Sequence, residues 1–356
     1  MSSPALAPGA VVALLALAAA CSAPATLPDL AAAEQAERAG RTDEALAAYQ
    51  RAQRTCQDLR PPRRRQLACA QALLGAAELR EQRGDPGAAD AYERAARAVE
   101  DRGAAAQASY KAGALRLAAG DAEAGWRLLW RTVTDFPDEA HAADALALLV
   151  EDGRRRDPRA LLEQVARVLT ALGATAVADN LLWVLADLSE HELADPRAAR
   201  AALDRLPDEH PTSGLRDDAR WHAARISRQL GDAAGAATRL RALLATREVA
   251  FGAGSYFSVW LDDAQLELGR VLRDDLADLA GARAAFTALG RLYPASTLRD
   301  DAELELAVTA ERAGDRATAC RHLATLATRW PETRAGRAGA ARAGALACAG
   351  PAAAAP

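Results

Sequence analysis

Aromatic residues are scarce in this sequence, at 4% of 356 positions, and alanine fills much of its 51% hydrophobic content. Alanine is the best helix former and a poor core filler, so the deficit points to closely packed helices rather than sheets. Lysine occurs once, at Lys111, and the rest of the 44 basic residues are arginine. No Gly-Lys-Ser/Thr is present, which excludes a phosphate-binding Walker loop. A basic excess is also missing: the formal charge is -4 with both signs interleaved, which argues against a nucleic-acid binder. The five histidines (His141, His191, His210, His222, His322) form no His-Glu-x-x-His pair, and no Cys-x-x-Cys occurs. Gly252-Ala253-Gly254 lacks the third glycine of a dinucleotide fingerprint, and Ser109 and Lys111 do not face each other at i, i+2 on a helix. The expectation is a non-catalytic chain with no metal, cofactor or small-molecule substrate.

Long apolar runs are lacking too. The longest at the N-terminus, Ala10 to Ala20, is eleven residues, too short to span a bilayer and of the length of a signal-peptide core. Cys21 follows directly after Ala18, Ala19 and Ala20, and the arrangement resembles a bacterial lipoprotein signal, in which the cysteine is lipidated and becomes the new N-terminus. Leu17 stands four residues before the cysteine, where the lipoprotein pattern has leucine three before it, and the segment ahead has no Lys or Arg. By the same resemblance Ser22 after the cysteine implies the outer membrane. Plain secretion to the periplasm or beyond, and a cytosolic chain, are the alternatives. Among the other cysteines, the pairs Cys56–Cys69 and Cys320–Cys348 each straddle an expected helical turn, so local disulfides are favoured, with buried free thiols as the alternative.

What the chain does have is repetition. A small residue or Asp recurs at Gly40, Gly84, Gly120, Asp157, Ala194, Gly231, Ala277 and Gly314, at offsets of 44, 36, 37, 37, 37, 46 and 37. Five positions beyond these markers stand Ala45, Ala89, Gly125, Leu162, Ala199, Ala236, Ala282 and Ala319. Twelve beyond come Ala52, Ala96, Thr132, Leu169, Leu206, Leu243, Leu289 and Leu326, and seventeen beyond Pro recurs at 137, 211, 294 and 331. A glycine ends one helix, a small residue lets the next backbone approach, a leucine two turns on buries against a neighbour, and proline stops the second helix.

These columns resemble the second half of the tetratricopeptide repeat, most fully at Gly314, Ala319, Leu323, Leu326 and Pro331 and at Gly120, Gly125, Leu129, Thr132 and Pro137. The phrase Pro-x-Ser-x-x-x-Asp-Asp-Ala at 211–219 and 294–302, echoed at Asp262-Asp263-Ala264, looks like the junction of outer-membrane tetratricopeptide lipoproteins. These include the β-barrel assembly and envelope-constriction types. The resemblance implies an all-α, right-handed α-solenoid of about eight helical hairpins with a C-terminal capping helix near Ala335–Cys348. The expected layout is a signal over 1–20, a tether over 21–29, one solenoid over 30–348 and a disordered tail over 349–356. Each hairpin cannot bury its own apolar face, so stacking makes the core.

Such arrays bind proteins, and two features are candidates for doing so. The insertion around 246–260 holds Phe251, Tyr256, Phe257 and Trp260, and interfaces are enriched in aromatics. The first-helix face of the sixth unit would present Trp221, Arg225 and Arg228, with His222 alongside. The alternatives are gap-filling for the insertion and core or solvated-face roles for the others. The implied role is a lipid-anchored adaptor for envelope proteins. A clamp gripping a chaperone carboxylate needs several Lys and Asn, and this chain has one of each, Lys111 and Asn180.

Overall fold

The computed structural model describes residues 27–60, 62–246 and 258–348. Among them are seventeen α-helices and no strand. They are α1 (Pro28–Arg38), α2 (Thr42–Thr55), α3 (Pro62–Gln82), α4 (Ala88–Ala98), α5 (Arg102–Ala118), α6 (Ala122–Asp135), α7 (Ala140–Arg156), α8 (Pro158–Leu172) and α9 (Ala178–Asp187). After these come α10 (Pro196–Glu209), α11 (Arg216–Gln229), α12 (Ala233–Ala245), α13 (Leu261–Arg270), α14 (Leu279–Leu292), α15 (Arg299–Arg312), α16 (Arg316–Arg329) and α17 (Arg334–Ala345). The all-α helical repeat expected from the spacing is the fold the chain adopts. Cys21, Phe251, Tyr256, Phe257, the signal-like segment and residues 349–356 lie outside the described residues. The helical part starts at Pro28, inside the stretch expected to be tether, because proline suits the first helical turn and Leu27 packs on the core.

The helix boundaries follow from side chains. Asp101, Asp121, Asp157, Asp195, Asp232, Asp278 and Asp315 each cap a helix by accepting a backbone N–H from its first turn. Each such cap contributes about 1 kcal/mol. Just before five of the repeat's second helices the backbone turns through a positive φ at glycine, as at Gly314 with φ 75°. Alanine takes the same conformation at Ala194 (φ 51°) and Ala277 (φ 55°). Both follow a single π-helical turn, Leu188–Glu192 and Val271–Asp275, that lengthens the preceding helix.

The fourth marker departs from the expected phase. Asp157 has φ -156° and is the N-cap of α8, so it corresponds to Asp121 and Asp195 rather than to Gly120 and Ala194. The buried position one turn into α8 is accordingly Leu161, with Leu162 only half-buried. Helix α7 runs to Arg156 without a glycine to end it, which moves the register by one.

Packing divides the chain into two compact units, one reaching Glu151 and including Thr175–Val177, the other formed by Asp152–Ala174 and the residues from Ala178 onward. In the first, Tyr49 and Tyr92 are buried among alanines. Their hydroxyls donate to Glu37 at 2.9 Å and Glu81 at 2.7 Å. Burial, then the carboxylate beside each ring, pushes both phenols above their ordinary range.

The second unit is centred on Leu240, Leu243, Val271, Phe286 and Leu289. Gly269 on α13 lies flat against the Phe286 ring, leaving no room for a Cβ. Successive hairpins are also tied by polar contacts. Ser213 donates to Asp179 at 2.5 Å and Ser296 donates to Asp262 at 2.6 Å, while each serine oxygen accepts a backbone N–H two residues on. That double contact is the physical content of the Pro-x-Ser junction and of the acid in the first turn of the preceding hairpin's first helix.

Candidate functional site

In the second unit the first helices of three consecutive hairpins bring three rings together. Trp183 stands on α9, His222 on α11, and Trp260 immediately before α13. The Trp183 and His222 centroids are 5.4 Å apart at 85°, and His222 meets Trp260 at 6.1 Å and 79°. The imidazole is thus held roughly perpendicular to two indoles, a favoured aromatic geometry. Trp260 in turn stacks on Trp221 at 5.2 Å and 12°. Its Nε1 donates to Asp218 at 2.6 Å, which fixes the ring plane.

Beside these rings a cleft of about 40 Å³ is lined by Trp183, Ala186, Asp187, Glu190, His191, Leu203 and His222. The π-turn after α9 supplies Glu190 and His191, so the extra backbone of that turn forms one wall. Asp187 is engaged by Arg154 and by His191 at 3.2 Å. Glu190 takes no hydrogen bond or ion pair among the described residues, and its charge acts on His222. Burial, aided by the Arg225 charge, holds the His222 imidazole below its usual pKa despite Glu190 and Asp218. What the arrangement offers chemically is a small aromatic-walled socket with one carboxylate at its edge.

The residues singled out in the sequence separate here. Trp221 is 9% exposed and belongs to the core, so it does not present itself to a partner as the first-helix face suggested. Arg228 is also committed internally, donating to Glu267 at 2.7 Å and Asp275 at 2.6 Å. It opens a series of ion pairs between first helices that continues from Arg270 and Arg273 to Glu305 and from Arg342 to Glu311. Arg225 is exposed, and Trp260 is half-buried in the ring cluster. Trp183 and Glu190 were not singled out. A signal for Trp183 existed: it stands four residues after the first-turn Asp179, as Trp221 stands four after Asp217.

The four later cysteines meet as Cys56–Cys69 and Cys320–Cys348, with Cα atoms 5.3 Å and 5.5 Å apart. Among the described residues no three His, Cys, Asp or Glu side chains converge to hold a metal ion. No helix among them is long and apolar enough to cross a membrane.

No curated protein matches the chain in sequence. Among solved structures it is similar to pilF of Pseudomonas aeruginosa, at 17% identity and a TM-score of 0.41, over 68% of this chain and 100% of that one. It is also similar to PilW, at 15% identity and 0.36 over 76% and 97%, and to MamA, at 15% and 0.40 over 57% and 94%. Scores this low bear no argument about function. The tetratricopeptide repeat model matches residues 263–296 and 301–333, which are the α13–α14 and α15–α16 hairpins. Over these two hairpins the chain matches the tetratricopeptide repeat.

Proposed function

We propose that the protein is a non-catalytic, lipid-anchored adaptor that holds envelope proteins at the periplasmic face of the outer membrane. The observation that carries the adaptor reading is the cleft at Trp183, His222 and Glu190, an aromatic socket built from the first helices of consecutive hairpins. Aromatic side chains fixed by their neighbours are pre-organised for binding and lose little freedom when a partner docks. Support for the address comes from the apolar run ending at Cys21 and from the two disulfides, which persist in oxidising compartments. The clients in this reading belong to assembly, secretion or constriction machinery.

A soluble exported adaptor without a lipid is the second reading, favoured by the displaced Leu17. Intact mass and palmitate labelling of the protein from envelope fractions, beside a Cys21→Ala variant, separate the two. A mature chain that begins at an acylated Cys21 supports the anchor. An unacylated processed chain supports the soluble form, and a full-length unprocessed chain overturns both. Crosslinking in envelopes, with Trp183→Ala beside the parent, then tests the adaptor role: loss of captured proteins supports it, and an unchanged capture pattern removes the cleft from it.

A further inference from the structure

We infer that the cleft beside Trp183 receives an arginine side chain from an extended segment of the partner protein. The inference rests on the adaptor reading and adds the chemistry of what is bound.

Charge accounting around the cleft leaves two groups of opposite sign without an ion pair among the described residues, of which only Glu190 lines the cleft. Asp187 faces Arg154 and His191, and Asp218 accepts from the Trp260 indole. Burial disfavours the charged form of His222. The remaining charged groups near it are Arg225, exposed on α11, and Glu190, the half-buried carboxylate in the cleft lining. A monovalent cation entering from a partner would therefore meet a carboxylate with no hydrogen bond or ion pair of its own among the described residues.

The rings narrow the choice to a planar cation. A guanidinium stacks on an indole face and at the same time presents a fork of N–H donors to a carboxylate, which a lysine ammonium cannot do. Elsewhere the chain makes this contact with its own arginines. Arg102 lies 5.5 Å from the Phe136 centroid, Arg273 lies 5.6 Å from Phe286, and Arg299 and Arg329 lie 5.7 Å and 4.7 Å from Trp330. Trp183 has His222 roughly perpendicular to it and no arginine over it among the described residues. A cleft of about 40 Å³ admits the tip of one side chain, such as a guanidinium head, rather than a folded domain. The flanking backbone of an extended segment would then run over the first helices of the neighbouring hairpins.

The test uses the full chain labelled with 5-fluorotryptophan, the Trp183 resonance being assigned with Trp183→Phe. N-acetyl-arginine amide is titrated against its uncharged near-isostere N-acetyl-citrulline amide. The Trp183 signal should shift saturably with the arginine probe, roughly tenfold more tightly than with citrulline. Glu190→Gln, which keeps the side-chain shape, should remove most of that preference while leaving the far-ultraviolet spectrum and the melting temperature of the parent.

Equal binding of the two probes, tighter binding of N-acetyl-phenylalanine amide, or an unchanged preference in Glu190→Gln overturns the inference. A Trp183 signal that moves with protein concentration alone gives the cleft to a second copy of the chain and overturns it as well. Failure of the adaptor reading looks different: the probe binds as expected, yet no envelope protein is captured. Failure of the inference alone leaves capture dependent on Trp183 and indifferent to Glu190→Gln.

Discussion

The Trp260 indole donates to Asp218 at 2.6 Å while its face lies 5.2 Å from that of Trp221. One side chain thus bonds two consecutive first helices twice, once through its edge and once through its ring. Trp260→Phe keeps the ring and deletes the donor, leaving Asp218 without that partner. The expected loss is about 1.5–3 kcal/mol, the scale of a hydrogen bond to a charged group. Trp260→Ala removes the stack as well and should cost about 3–5 kcal/mol, the scale of an aromatic truncation. Urea unfolding of both variants checks this, and a Trp260→Phe midpoint equal to the parent's would show that the edge contact contributes nothing.

His222 makes stability depend on pH in a definite direction. Its folded pKa lies below the ordinary value because burial disfavours the imidazolium. Between the folded pKa and about 6.5 the unfolded chain binds more protons, so stability rises with pH through that window. The His222 contribution is complete above about 6.5 and is lost as pH falls toward the folded value. Unfolding profiles of the parent and His222→Gln between pH 5 and 7.5 should diverge only in the lower part of that range. A ring titration by NMR with a midpoint at or above 6.5 would contradict the burial argument.

The spacing of the chain made its helices legible, and particular residues show where legibility stopped. Pro137, Pro211, Pro294 and Pro331 each stand one residue beyond a helix C-cap, because proline lacks the N–H that would continue the ladder. The glycine column marked turns because only local conformation is at stake there. Asp157 misled the register because an N-cap aspartate and a turn residue occupy adjacent positions, and no glycine was present to tell them apart.

The cleft was legible only in part. His222 and Trp260 attracted attention through local composition. Whether Trp221 faces a partner or the core depends on a ring that arrives thirty-nine residues later in the chain, a fact outside its own helix. Arg228 is likewise consumed by Glu267 and Asp275 from another hairpin. Periodicity identifies which stripe of a helix is buried, and it carries no information about what the next helix lays over the remaining face.

The two disulfides close loops of different size, with sequence separations of 13 for Cys56–Cys69 and 28 for Cys320–Cys348. Chain-entropy arguments assign about 3 kcal/mol to the shorter loop and about 3.5 kcal/mol to the longer. Cys56→Ser with Cys69→Ser should loosen α2 and α3, whereas Cys320→Ser with Cys348→Ser should loosen α16 and the segment after α17. Stability in a helical array is largely local, so amide exchange should speed up near the deleted bridge and stay unchanged in the other unit. Faster exchange spread evenly over both units would contradict a local role.

Ala277 and Gly314 occupy the same left-handed turn, with φ of 55° and 75°, and give opposite predictions. For an L-residue that conformation brings Cβ against the backbone at a cost of about 1 kcal/mol, which glycine escapes. Nothing lies within 4 Å of a Cβ added at Gly314, so Gly314→Ala isolates the backbone effect from packing. It should destabilise the protein by roughly 1 kcal/mol, less a few tenths recovered from the stiffer unfolded chain. Ala277→Gly releases the same strain and should be neutral to slightly stabilising even though glycine is the poorest non-proline helix former. Ala277 differs in its neighbours, since the π-turn places the Asp278 N–H on the Leu272 carbonyl at 2.7 Å and holds the turn from both sides. If Ala277→Gly costs as much as Gly314→Ala, that brace rather than the φ angle determines the conformation, and the alanine is serving the turn by its own stiffness. Thermal and urea unfolding of the two variants in parallel decides between strain and brace.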